Sequence, residues 1–89
     1  MSASNPFFSV IIASFNRAPL IGRAIISILN QSYSDFEVIV VDDGSADDTH
    51  ERVFAFSDDR LRYHFIENSG VSAARNYGAS KALGFYLIF

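Results

Sequence analysis

The sequence predicts an α/β fold, a three-layer αβα arrangement around a Rossmann-like parallel sheet with the element order βαβαβαβ. Two patterns carry that prediction. Four runs, Phe7–Ala13, Phe36–Val41, Leu61–Ile66 and Phe85–Phe89, are short and rich in branched and aromatic residues, as strands buried on both faces of a parallel sheet are. Segments with helical spacing separate them, and the strand centres recur at roughly 22 to 28 residues, the length of a βαβ crossover.

The elements follow in order. Val10, Ile11 and Ile12 at the centre of Phe7–Ala13 predict the first strand. Leu20, Ile21, Ala24, Ile25, Ile28 and Leu29 recur at helical spacing, with Pro19 where a first turn accepts it. Phe36–Val41 predicts the second strand, stopped by the turn formers Asp42-Asp43-Gly44-Ser45. Ser45 and Asp48 have capping-box spacing, with Asp for the usual Glu, which predicts a second helix over Ala46–Phe56. Leu61–Ile66 alternates more and predicts a strand nearer the sheet edge. Asn68-Ser69-Gly70 predicts a turn, and Ser72 is the expected cap of a third helix running to Ala82, with Gly84 at its C′ position. The small residues Ala73, Ala74, Gly78, Ala79 and Ala82 would let that helix lie close to a sheet. The fourth strand is expected in the interior, beside the point where strand order reverses. In such sheets ligands bind beyond the carboxyl ends of the strands at that point.

The 89 residues carry 7 Lys+Arg against 10 Asp+Glu, a net charge of −3, which argues against a nucleic-acid binder. Apolar residues make up 49% and aromatics 15%, which excludes intrinsic disorder. A chain this short buries only roughly 60% of its unfolded surface, so part of the apolar surface is expected to meet another body. The absence of Cys removes disulfides, thiolate metal sites and a Cys nucleophile. No run reaches the roughly 18 apolar residues of a membrane span, and residues 1–13 lack the pattern of a secretory signal. A soluble, cytoplasmic chain is the expectation.

Three loops open at the carboxyl edge: Ser14-Phe15-Asn16-Arg17, Asp42-Asp43-Gly44-Ser45, and Asn68-Ser69-Gly70-Val71 leading into Arg75. The paired acids suit a metal, a sugar hydroxyl or a base edge, and suit turn chemistry equally. A cation such as Arg75 in a first helical turn opposes the macrodipole, which a bound anion would make favourable; a solvated surface Arg is the simpler use. Asn16 and Ser14 can cap the first helix or touch a ligand. Arg17 reads as solvated, His50 and His64 as structural, Asp47 and Asp48 as first-turn acids, and Phe54, Phe56, Tyr63 and Phe65 as core. Neither a Gly-x-Gly-x-x-Gly turn nor a Gly-Lys-Ser/Thr loop is present, which disfavours redox dinucleotide and Walker-type sites.

Ser9–Arg17, Ser27–Tyr33, Phe36–Asp47 and Asn68–Gly78, four motifs in order, closely resemble the start of family 2 glycosyltransferases with a GT-A fold. Ala13-Ser14 replaces a common Pro-Thr pair, and Phe85 stands where Glu is frequent. The resemblance implies that residues 1–89 are the N-terminal nucleotide-binding part of a glycosyltransferase domain, cut before the family's Asp-any-Asp motif. It implies a nucleotide-diphospho-sugar donor, a UDP-sugar, bound by Ala13, Ser14, Phe15, Asn16, Asp42, Asp43 and Arg75, with Asp43 accepting from the base. It further implies Mg²⁺ or Mn²⁺ in the full-length enzyme, with metal ligands and catalytic base beyond residue 89. The acceptor would be a glycan or lipid-linked sugar, reached at the inner face of the membrane in the full-length protein. The edge left at the fourth strand predicts homo-oligomerisation. The alternative is a non-catalytic α/β association module that retains the fold.

Overall fold

The computed structural model describes residues 5–89. The chain runs β1 (Phe8–Ser14), α1 (Ala18–Leu29), β2 (Phe36–Asp43), α2 (Thr49–Phe54), β3 (Leu61–Ile66), α3 (Val71–Lys81) and β4 (Tyr86–Ile88). All strand pairs are parallel and the sheet order is β3-β2-β1-β4. The chain builds outward from β1 to β3, then crosses back to lay β4 on the other side of β1. That reversal is the topological switch point of a doubly wound sheet. Among the described strands β4 is an outer strand, and it pairs only with Phe8, Ser9 and Val10.

Side-chain alternation sorts the sheet into two apolar layers. On one face Ile21 and Ile25 of α1 and Val53 of α2 pack against Phe36, Val38 and Val40. On the other, Ala74 of α3 packs against Ile11, Ile39 and Val41. Every residue of β2 is buried, and each buried Val or Ile there contributes about 1.5–3 kcal/mol relative to exposure. The small residues of α3 act as expected: a Cβ on Gly78 would run into the Ile11 side chain and lie 3.1 Å from Val41 Cγ2.

The helix starts differ from the sequence expectation for a physical reason. α2 begins at Thr49, not Ala46, because Ser45, Ala46 and Asp47 spend their hydrogen bonds on neighbouring loops and on Asp42. α3 begins at Val71 behind an N-cap Gly70, not behind Ser72. Gly84 is not a helix cap, since α3 ends at Lys81 and Ala82 is already extended. Its bare Cα instead lets the chain approach β1, where a Cβ would meet Phe8 C at 2.7 Å and Ser9 N at 2.8 Å. Phe54 and Phe65 are exposed rather than core; the six-residue α2 is the helical cover on that side of the edge strand β3.

Glu37 is the polar counterpart of this packing. It is buried in β2 and accepts from Ser9 Oγ at 2.5 Å, Arg62 at 2.6 Å and the Leu83 N–H at 2.6 Å. Ser9 Oγ in turn accepts the Gly84 N–H at 2.8 Å. This network seats the α3–β4 connection against β1 and β3.

Gly78→Ala is expected to destabilise the fold by about 1–3 kcal/mol through overpacking. Gly22→Ala, where an added Cβ meets nothing within 4 Å, should stabilise it by about 0.4–1 kcal/mol through the unfolded chain. Urea midpoints moving in the same direction would contradict this account of α3.

His64 supplies a pH dependence. Its Nε2 is buried without a hydrogen-bond partner and its ring meets Tyr77 edge-on at 5.5 Å. Burial, then the Arg62 and Lys81 cations, hold its pKa below the ordinary 6.5. The unfolded chain therefore takes up this proton first, so the contribution is complete above pH about 6.5 and is lost as pH falls below it. His64→Phe should flatten that loss, read as the difference between wild-type and variant urea midpoints from about pH 7.5 to about pH 5.

Candidate functional site

At the carboxyl edge of the sheet a cavity of about 260 Å³ lies between three segments. Ala13, Ser14 and Phe15 form one wall, Asn68, Gly70 and Val71 the opposite wall, and Asp43 lies between them. β1 and β2 end in register, with Ser14 opposite Asp42, so the turns that follow project on the same side of the sheet.

Asp43 is tied to the wall formed by the β3–α3 loop. Its Oδ1 accepts the Ser69 N–H at 2.7 Å, its Oδ2 accepts the Gly70 N–H at 3.0 Å, and its carbonyl accepts from Asn68 Nδ2 at 3.0 Å. The carboxylate is thereby held by the β3–α3 loop while still bordering the cavity. Each carboxylate oxygen has a second lone pair, so Asp43 can accept from a ligand without giving up its loop bonds.

The acid pair divides by strand alternation. Ala13 and Asp43 face α3, while Asp42 and Ser14 turn toward α1 and α2. Asp42 is 1% exposed. Its Oδ1 accepts the Ser45 N–H at 2.8 Å and its Oδ2 the Tyr63 hydroxyl at 2.6 Å. Burial first, then that bond, push the Tyr63 pKa far up, so the phenol remains a donor. Asp42 thus holds the turn and does not border the cavity. The Ser14 hydroxyl is buried without a partner.

Asn16 also stays off the cavity lining. It has a left-handed backbone, φ 50, which its short polar side chain tolerates. Its N–H donates to Ser45 Oγ and its Oδ1 accepts the Ala46 N–H, both at 2.8 Å. Next to this pair Asp47 Oδ2 accepts the Ala18 N–H at 3.1 Å, and Asp47 Oδ1 accepts from the Thr49 N–H and hydroxyl. The Thr49 hydroxyl is the chief cause holding the Asp47 carboxyl below its usual range.

Arg75 corrects the helix-dipole argument. With α3 beginning at Val71, Arg75 lies beyond the first turn, where the macrodipole fades. It borders a separate cleft of about 400 Å³ beside β1 and β4, with Ile11, Ala13, Ile88 and Phe89. Ala13 is common to both clefts. The structure therefore brings together Ala13, Ser14, Phe15 and Asp43, places Arg75 next to them at the switch point, and sets Asn16 and Asp42 behind. Asn68, Gly70 and Val71, in the third of the carboxyl-edge loops but not among the expected binding residues, also line the cavity.

Among the described residues no group of three or more His, Cys, Asp and Glu could hold a metal ion. Asp42 and Asp43 leave β2 on opposite faces of the sheet, so the two carboxylates do not converge on one cation. Among the described residues no helix is long and apolar enough to cross a membrane.

A doubly wound parallel sheet with its clefts at the switch point defines a Rossmann-like domain of the GT-A kind. The chain belongs to glycosyl transferase family 2, whose model matches residues 9–89. It is 43% identical over 82 residues to an uncharacterized glycosyltransferase of Rickettsia bellii, covering 91% of this chain and 12% of that protein. It is 41% identical over 88 residues to the GalNAc(5)-diNAcBac-PP-undecaprenol beta-1,3-glucosyltransferase of Campylobacter jejuni, covering 94% of this chain and 28% of that one. Among solved structures it resembles the mannosyltransferase PcManGT from Pyrobaculum calidifontis in complex with GDP-Man and Mn²⁺. That match has a TM-score of 0.72 and 31% identity, covering 90% of this chain and 25% of that one. The chain thus spans 12–28% of the length of these proteins and corresponds to a short N-terminal portion of the fold.

The two acids should separate by mutation. Tyr63→Phe leaves a buried Asp42 oxygen unpaired and should destabilise by about 1–3 kcal/mol, with amide protection at Ser69 and Gly70 keeping pace with global stability. Asp43→Asn turns an amide donor toward one of those N–H groups and should cut their protection beyond any global loss. Hydrogen exchange with urea titration reads both; equal local effects would refute the division.

Proposed function

We propose that the chain is the donor-binding portion of a glycosyltransferase, with the cavity at Asp43 taking the nucleobase of a UDP-sugar. The carrying observation is a buried carboxylate, 4% exposed, held by two backbone amides at the edge of a cavity whose rim carries an exposed Phe15. Such a carboxylate accepts from an imide N–H of a base, and an exposed ring offers a stacking face. The volume of about 260 Å³ falls short of the roughly 300–1,000 Å³ of whole small-molecule sites, which suits a base and favours a pyrimidine. Arg75, beyond the shared Ala13, is placed to meet the anionic end. Ser14, Asn16 and Asp42 would support the site through the backbone and turns.

Within the whole protein, residues 1–89 would be the nucleotide-binding part. An acceptor hydroxyl on a glycan or lipid-linked sugar would displace the nucleoside diphosphate, with inversion. The Campylobacter relative, named for an undecaprenol-linked substrate, supports such an acceptor and a site at the inner membrane face. The Pyrobaculum structure, with Mn²⁺, supports a divalent cation for the whole enzyme, held by ligands outside the residues described. Its GDP-Man also favours a second donor reading, a guanine nucleotide in the same cavity. A reading of another class rests on β4, all three of whose residues are exposed beside Phe85 at 79%: homo-oligomerisation through that edge.

Titration of UDP, and separately GDP, into ¹⁵N-labelled chain tests these readings. Shifts at Ala13, Phe15, Asp43 and Gly70 that saturate at lower UDP than GDP are expected, with no UDP release from UDP-sugars by this chain alone. Tighter GDP binding would replace the uridine reading. Absence of binding by either, with concentration-dependent shifts along Tyr86–Ile88, would replace donor binding with association.

A further inference from the structure

We propose that Asn16 is a positioning residue for the base cavity, one that contacts the neighbouring loop and not the ligand. This rests on the donor reading of the cavity. Asn16 follows Phe15, which forms part of the cavity wall, yet Asn16 itself is not among the lining residues. Its φ of 50 turns both its N–H and its Oδ1 onto one partner, the Ser45–Ala46 segment, at 2.8 Å each. Ser45 is in turn fixed through its N–H by Asp42, and Asp42 lies beside Asp43 at the end of β2. The β1–α1 loop is therefore tied to the same strand end that carries the cavity carboxylate. The opposite wall is tied there by the Asp43 bonds to Ser69 and Gly70. Both walls thus take their position from one strand end, and Asn16 is the link for the Phe15 wall.

The residue type is what this task needs. Gly would adopt the left-handed backbone but lose the Oδ1 acceptor, and Ala would lose the acceptor and resist the backbone. Asp keeps a tolerable backbone and an acceptor for the Ala46 N–H.

Amide exchange and uridine affinity of the full chain, well below its unfolding temperature, test the proposal. Neutral uridine is used so that the added charge of Asn16→Asp does not act on a phosphate. Asn16→Ala is expected to raise exchange at position 16 and Ala46 while β3 and α3 keep theirs, and to weaken uridine binding roughly tenfold, the worth of one lost hydrogen bond of about 1.4 kcal/mol. Asn16→Asp should restore protection and hold affinity within roughly threefold of wild type. Because Asn16 and Ser45 share one network, Asn16→Ala with Ser45→Ala should lose less than the sum of the two. Raised exchange with unchanged affinity would reduce Asn16 to a loop tie, and affinity lost in Asn16→Asp with protection intact would make it a ligand contact; either overturns the proposal. A wild-type chain that binds neither uridine nor UDP refutes the donor reading, while exchange in Asn16→Ala still decides the clasp: unchanged exchange overturns it.

Discussion

A carboxylate taken out of water must be met by donors or it destabilises the fold by several kcal/mol, and β2 carries Glu37, Asp42 and Asp43, all buried. Their donors come from almost every other part of the chain. Glu37 draws in Ser9 of β1, Arg62 of β3 and the Leu83 N–H ahead of β4. Asp42 draws in the Ser45 turn and Tyr63, and Asp43 draws in Ser69 and Gly70 before α3. Each bond that relieves a buried charge also fixes where a neighbouring segment sits. The apolar layers give the sheet its cohesion, while the charges along its central strand give it register at both ends.

The nature of those donors shapes the site. Ser45, Ser69 and Gly70 meet the acids through backbone N–H groups, whose positions are set by the chain and not by a flexible side chain. A carboxylate held by two such amides has its orientation fixed. Asp43 can therefore border a cavity with acceptor capacity to spare, whereas Asp42, one residue earlier, is consumed by the turn and by Tyr63. Two adjacent acids acquire different tasks because a strand sends neighbouring side chains to opposite faces.

Much of the fold was legible. Branched apolar runs marked the strands, helical spacing marked α1, and capping and turn residues marked α2 and α3, while the buried-strand pattern in Phe36–Val41 led directly to the fully buried β2. The helix starts were less legible. Ser45 and Asp48 satisfy a local capping pattern, but Ser45 bonds Asn16, distant in sequence, and Asp47 bonds Ala18; local spacing contains no information about a partner supplied by another loop. Glu37 was hidden for the same reason, since a lone acid in an apolar run shows its meaning only when Ser9, Arg62 and Leu83 are brought to it. In the candidate site, the carboxyl-edge rule and the resemblance singled out Ala13, Ser14, Phe15 and Asp43. They did not distinguish lining from support, so Asn16 and Asp42 were grouped with residues that border the cavity.

Sheet order sets two of the clefts at this edge on either side of β1. The end of β1 pairs with β2 on one side, while β4 pairs with Phe8, Ser9 and Val10 on the other. The Asp43 cavity occupies the first side and the Arg75 cleft the second, with Ala13 between them. One side presents an acceptor carboxylate and an aromatic rim, the other a cation beside apolar residues. A ligand that matches both must carry a hydrogen-bond donor on a flat ring at one end and negative charge at the other, within reach of a single strand end. A nucleoside diphosphate has that polarity, and the proposed donor would lie across the end of β1, with its base at Asp43 and its charge at Arg75.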